Sequence, residues 1–157
     1  MSAITPTVFY RDPKAALDWL QAAFGFEIAL LLTDDAGNIG HAEMAYGDSA
    51  IGVAGEWGGE ALGGAQMKSP ASTGGVGTQF VWITVAEPID AHHARAAAAG
   101  ARIAQAPADQ FYGDRTYRAR DPEGHVWCFR QAVAEVSVDE MERRSGLKVQ
   151  GGVTTER

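Results

Sequence analysis

Apolar and polar residues alternate over residues 4–11, ITPTVFYR, which places Val8 and Tyr10 on one face of a strand and Thr5, Thr7, Phe9 and Arg11 on the other. Pro6 has no backbone donor, so its end of the strand belongs at an edge or a crossover. The period then changes. Asp12 is a helix cap, Pro13 suits the first helical position, Leu17, Leu20 and Phe24 recur at helical spacing with Ala16 and Trp19 widening the stripe, and Gly25 is the stop. Strands follow over Glu27 to Thr33, His41 to Tyr46 and Ser49 to Val53, with turns at 34–38 and Gly47-Asp48. Ala42 and Met44 alternate with His41 and Glu43, and Ile51 and Val53 join Val8 and Leu17 in the core.

The same plan returns after a glycine-rich stretch, 54–77, that reads as a flexible linker or a mobile lid. From Thr78 to Val85, Val81, Ile83 and Val85 alternate with Phe80, Trp82 and Thr84. A helix spans roughly Pro88 to Ala99, a strand Ala101 to Ala106, and a loop Pro107 to Gly113. Two further strands flank the turn Asp121-Pro122-Glu123-Gly124, and the second puts Trp127 and Phe129 on one face and Val126 and Cys128 on the other. Asp12-Pro13 and Glu87-Pro88 lie 75 positions apart, as do Gly25 and Gly100, so the unit is duplicated. Ser137 caps a short helix over 138–145, ahead of a glycine-rich tail expected to be disordered.

Composition narrows the function classes. A net charge of −7 and the absence of any lysine and arginine cluster along the chain argue against nucleic acid. No apolar run is long enough for a membrane helix and no secretory leader is recognisable, so the expected location is the cytoplasm. Cys128, the single cysteine, excludes an intrachain disulfide and a cysteine-clustered zinc site.

The order βαβββ twice, with a closing DPxGxxWxF hairpin, resembles the vicinal oxygen chelate superfamily of glyoxalases, bleomycin and fosfomycin resistance proteins and extradiol dioxygenases. The resemblance spans about residues 4–131. It implies an α+β fold of two tandem modules, about 4–53 and 78–131, whose mixed sheets form cups, with residues 132–157 as an appended helix and tail. It also implies a metal-ligand place on the first and last strand of each module. By the family's spacing those places fall on Thr5, Gly52, Phe80 and Cys128, none of them a His, Gln or Glu, so no metal and no other cofactor is expected.

The faces turned away from the core line the cup. They supply Phe9 and Arg11, Phe80 and Trp82, and Cys128, and the loop before the hairpin adds Phe111, Tyr112 and Arg115. His41 and Glu43 share such a face, as a structural hydrogen-bonded pair or as a general base pair, and are the only weak catalytic candidates. His92 and His93 point about 100° apart on their helix and are expected in solvent, and His125 leaves the turn. Cys128 is structural, because His125 points to the opposite face. The expected function is a metal-free, bleomycin-resistance-like binding protein for a small, partly aromatic molecule, dimeric and with the first strand free to exchange near Pro6. A metal-dependent enzyme using His41 and Glu43, and a protein-interaction module, are the alternatives.

Overall fold

The computed structural model describes residues 3–150, and the expected tail lies outside the described residues. Strand β1 (Thr7–Tyr10) leads into helix α1 (Pro13–Phe24). Asp12 Oδ1 accepts the Ala15 N–H at 3.0 Å at the start of this helix, and Gly25 ends it at φ 78°. Strands β2 (Glu27–Thr33), β3 (Ile39–Tyr46) and β4 (Ser49–Gly55) complete a sheet of order β1-β4-β3-β2. The connection is not featureless. It holds a two-stranded ribbon, β5 (Trp57–Gly58) and β6 (Gln66–Met67), and two single turns of 3-10 helix, and Ser69 within it is fully buried.

The second module repeats the first with β7 (Val81–Thr84), α2 (Ile89–Ala98), β8 (Arg102–Asp109), β9 (Asp114–Arg120) and β10 (Val126–Ala132), in the order β7-β10-β9-β8. In both sheets the first and last strands of the module pair in parallel and the other neighbours antiparallel. The mixed α+β fold of two βαβββ modules is therefore as the sequence implies. Strand β8 runs past the expected end at Ala106, with register shifts on either side of Gln105. Helix α3 (Val138–Ser145) forms where expected, with Ser137 as its cap. Among the described residues no helix is long and apolar enough to cross a membrane.

One core serves both modules. Phe24 of α1 meets Phe129 and Trp127 of β10, with ring centroids 4.7 and 5.6 Å apart, and Phe26 meets Trp127 at 5.7 Å. Each such side chain contributes about 1.5–3 kcal/mol on burial. The helix-side faces of the two sheets are thus turned toward each other, and their inner faces point away into solvent.

His92 belongs to this shared core, which corrects the expectation of a solvent-exposed side chain. It lies on the same stripe of α2 as buried Ile89 and Ala96, at i−3 and i+4. The Nε2–H donates to the Phe24 carbonyl at 3.1 Å, and the Tyr117 hydroxyl donates to Nδ1 at 2.5 Å. Burial lowers its pKa, so the ring stays neutral. His93, rotated out of that stripe, is half-buried and packs edge-on against Tyr117.

Candidate ligand-binding site

The two inner faces are equivalent in position and opposite in character. In the first sheet, strand pairing sets Thr7, Gly52 and Glu43 in one row across β1, β4 and β3. His41 and Phe9 share that face by alternation. His41 Nε2 lies 3.0 Å from Glu43 Oε1, so the expected pair forms, on an open surface with side chains 49% and 38% exposed. Glu43 is engaged by its histidine rather than aimed at an empty position.

The matching row of the second sheet is Trp82, Cys128 and Arg118, continued by Gln105 on β8. Phe80 and Trp82 are half-exposed and in contact, ring centroids 6.0 Å apart. The Arg130 guanidinium sits 5.9 Å from the centre of the Trp82 ring, and its Nε donates to Thr84 Oγ1 at 3.0 Å. Cys128 is buried, and desolvation raises its thiol pKa although a hydrogen bond and charge from Arg118 oppose the rise. It is a weak nucleophile at neutral pH, in keeping with a structural role.

The loop before the hairpin folds over this face. Gln110 Nε2 donates to Thr116 Oγ1 at 2.9 Å, and Gly113, at φ 95°, closes the turn. Tyr112 is thereby brought near Arg118, Arg130 and Cys128; burial raises its pKa and Asp114 adds to the rise, while the two guanidiniums oppose it. Phe111 packs edge-on against Tyr112. Two expected residues fall elsewhere. Arg115 is on the helix side, where it pairs with Asp90 and Asp109, because it shares the parity of core residues Tyr117 and Ala119. Arg11 lies past the end of β1, and its backbone N–H donates to Glu123 Oε2 at 2.7 Å.

The places where the family implies metal ligands do not suit a metal. A Cβ on Gly52 would lie 2.6 Å from Thr7 Oγ1, so no carboxylate side chain fits there. Arg118 stands across from Cys128 on the neighbouring strand, which puts a cation where an ion would sit. Thr5 is exposed before the start of β1, and Phe80 offers no donor atom. Among the described residues no group of three or more His, Cys, Asp or Glu is placed to hold a metal.

A cleft of about 860 Å³ opens between the modules beside Trp82. Phe26, Tyr46, Ile51 and Ile83 floor it, and the Glu87–Arg95 pair, 2.7 Å apart, lies at its polar edge. Burial, with the charge of Glu87, raises the Tyr46 pKa. Of the residues expected in the cup, only Trp82 borders this cleft.

Sequence reasoning missed the cleft, and it missed the arginines. Arg118 and Arg120 alternate on β9, and strand pairing sets Arg102 opposite Arg120 and Cys128 opposite Arg118, with Arg130 two residues further along β10. The one signal available was the period-two spacing of 118 and 120.

The family model described as the glyoxalase/bleomycin resistance protein/dioxygenase superfamily matches residues 4–129. An uncharacterized protein of Mycobacterium bovis is 32% identical over 141 residues, which is 89% of this chain and 90% of that protein. The crystal structure of TioX from Micromonospora sp. ML1 superposes with a TM-score of 0.69 at 30% identity, covering 85% of this chain and all of that one. TnmS3, an antibiotic binding protein from Streptomyces sp. CB03234, shares the fold at a TM-score of 0.59 and 19% identity, over 84% of this chain and 99% of its own. With its two βαβββ modules and a match over most of its length, the chain belongs to the glyoxalase/bleomycin resistance protein/dioxygenase superfamily.

Proposed function

We propose that this chain is a metal-free binding protein of the bleomycin-resistance kind, which takes a small aromatic molecule on the inner face of its second sheet. The observation that carries this is a set of exposed rings, Phe80, Trp82 and Phe111, on a face with no core to join. TnmS3, an antibiotic binding protein, is a precedent for such use of the fold.

A second copy closes the cup. Each inner face is open within one chain, so a second copy set across it would enclose the ligand. Strand β2 supports the same arrangement, because Ile28, Leu30, Leu31 and Leu32 stand 39–53% exposed at a sheet edge. The cytoplasm is the proposed location.

Titration calorimetry with 2-naphthylmethanol tests the binding surface. Saturable binding is expected, weakened by about tenfold or more in Trp82→Ala, as loss of one stacked ring entails. Sedimentation should give a dimer, and protein purified without chelators should hold far less than one divalent ion per chain. Binding indifferent to Trp82, a compact monomer at micromolar concentration, or stoichiometric metal would each defeat the corresponding part.

A further inference from the structure

The arginines of the second inner face lack what the others have. Within helices and strands, Arg95, Arg115, Arg143 and Arg144 all pair with carboxylates. Arg102, Arg118, Arg120 and Arg130 make no ion pair among the described residues, in a chain with 20 acidic residues and 13 basic ones. Residues two apart on a strand are about 7 Å from each other and neighbouring strands about 4.8 Å apart, so these cations crowd one patch and repel. Among the described residues the Arg118 side chain has no oxygen acceptor, only the Cys128 thiol beside it, and the terminal nitrogens of Arg130 make no hydrogen bond. The patch is built to receive an acceptor it does not contain.

Resting on the reading above of this face as the binding surface, we infer that its ligand is an anionic aromatic. Its ring lies on Trp82 beside Phe80, and its carboxylate, sulfonate or ionised phenol is held between Arg118 and Arg130. Dimensions agree. Trp82 and Arg118 stand two strands apart, about 10 Å across the sheet, and small Cys128 between them floors the trough without filling it. A ring of two fused cycles bearing an acid group spans that distance once the arginine side chain reaches back. The Arg130 guanidinium already lies against Trp82, so one residue serves both ring and charge. Tyr112, folded over the same groups, supplies a neutral hydroxyl to the charged end. A cationic ligand would meet four guanidiniums and is disfavoured.

The test compares three probes of one shape, 2-naphthoate, 2-naphthylmethanol and 2-naphthylmethylamine, by titration calorimetry on the full chain. The acid should bind about tenfold more tightly than the alcohol and the amine most weakly, as a charge-assisted contact at a part-exposed site requires. Arg118→Gln and Arg130→Gln should each bring acid and alcohol to within about twofold of each other, while Trp82→Ala should weaken both alike and leave their ratio unchanged. Both arginines are exposed, so their variants should keep the wild-type melting temperature. If the alcohol binds as well as the acid, the anionic ligand is ruled out while the aromatic binding surface stands. If none of the three probes binds, both fall. If the arginine variants keep the preference for acid and instead split the dimer, these residues hold a second copy together and the inference is overturned.

Discussion

The seam between the modules is sealed at one end and open at the other. At the sealed end Asp121 is buried in the closing turn and accepts the Tyr10 hydroxyl at 2.7 Å and the Trp127 indole N–H at 3.1 Å through one oxygen. Its other oxygen accepts the Glu123 and His125 amides. Glu123 reaches the Arg11 and Asp12 amides and the Ser69 hydroxyl, so it caps α1 and pins the glycine-rich connection at once. At the open end the duplicated positions are Tyr46 in place of Asp121 and Val85 in place of Tyr10, a pair with no bond to make. The turn there is one residue shorter, four residues between paired Ala45 and Ala50 against five between paired Arg120 and Val126. The void left beside the seam is about 10 Å³ at the sealed end and about 860 Å³ at the open one. One scaffold copied twice has become a lock on one side and a cavity on the other through a single turn and one hydroxyl–carboxylate pair.

Removing the lock should have the largest effect. Asp121→Ala strands a buried hydroxyl and an indole N–H and leaves two turn amides without their acceptor, for a loss of about 3–5 kcal/mol in urea unfolding. A loss below about 1 kcal/mol would show that the turn does not hold the seam. A matched pair of enlargements sharpens the contrast next. Val8 borders the small void and Ile83, its counterpart 75 positions on, borders the cleft. Val8→Phe should cost about 1–3 kcal/mol by overpacking, and Ile83→Phe less than about 1 kcal/mol because the ring can enter the cleft. Equal costs would mean that the two ends are packed alike.

Glu123→Ala should follow, at about 1–2 kcal/mol, with faster proteolysis of the 54–77 connection as its signature because the Ser69 contact goes with the cap. Acid should act more gently, on the seam between the helices. The His92 Nε2–H joins α2 to the last residue of α1, and its lowered pKa means that the unfolded chain takes up a proton, below about pH 6.5, before the folded one does. Stability from this residue is therefore complete above that pH and declines as pH falls, by at most about 1.4 kcal/mol per pH unit. In a variant with Gln at this position, His92→Gln, the baseline stability should drop but this part of the pH slope should disappear. An unchanged slope would assign it to other groups.

The sequence by itself determined the order of elements, the duplication, and which side of each strand faces the core. Val8, Tyr10, Met44, Trp127 and Phe129 are buried as their alternation requires, because period and burial are both local properties of a strand. Tertiary structure decided what each face meets. Nothing near His92 in the chain announces Phe24 and Tyr117, which come from another module and another strand. Parity puts Arg115 on the helix side, but only the packed chain shows that Asp90 and Asp109 meet it there. Arginines scattered over residues 102–130 become one patch only when strand pairing fixes their register. Periodicity tells a side chain which way to point; the partner at the end of that direction depends on strand order and on the length of one turn, which are long-range properties of the packed chain.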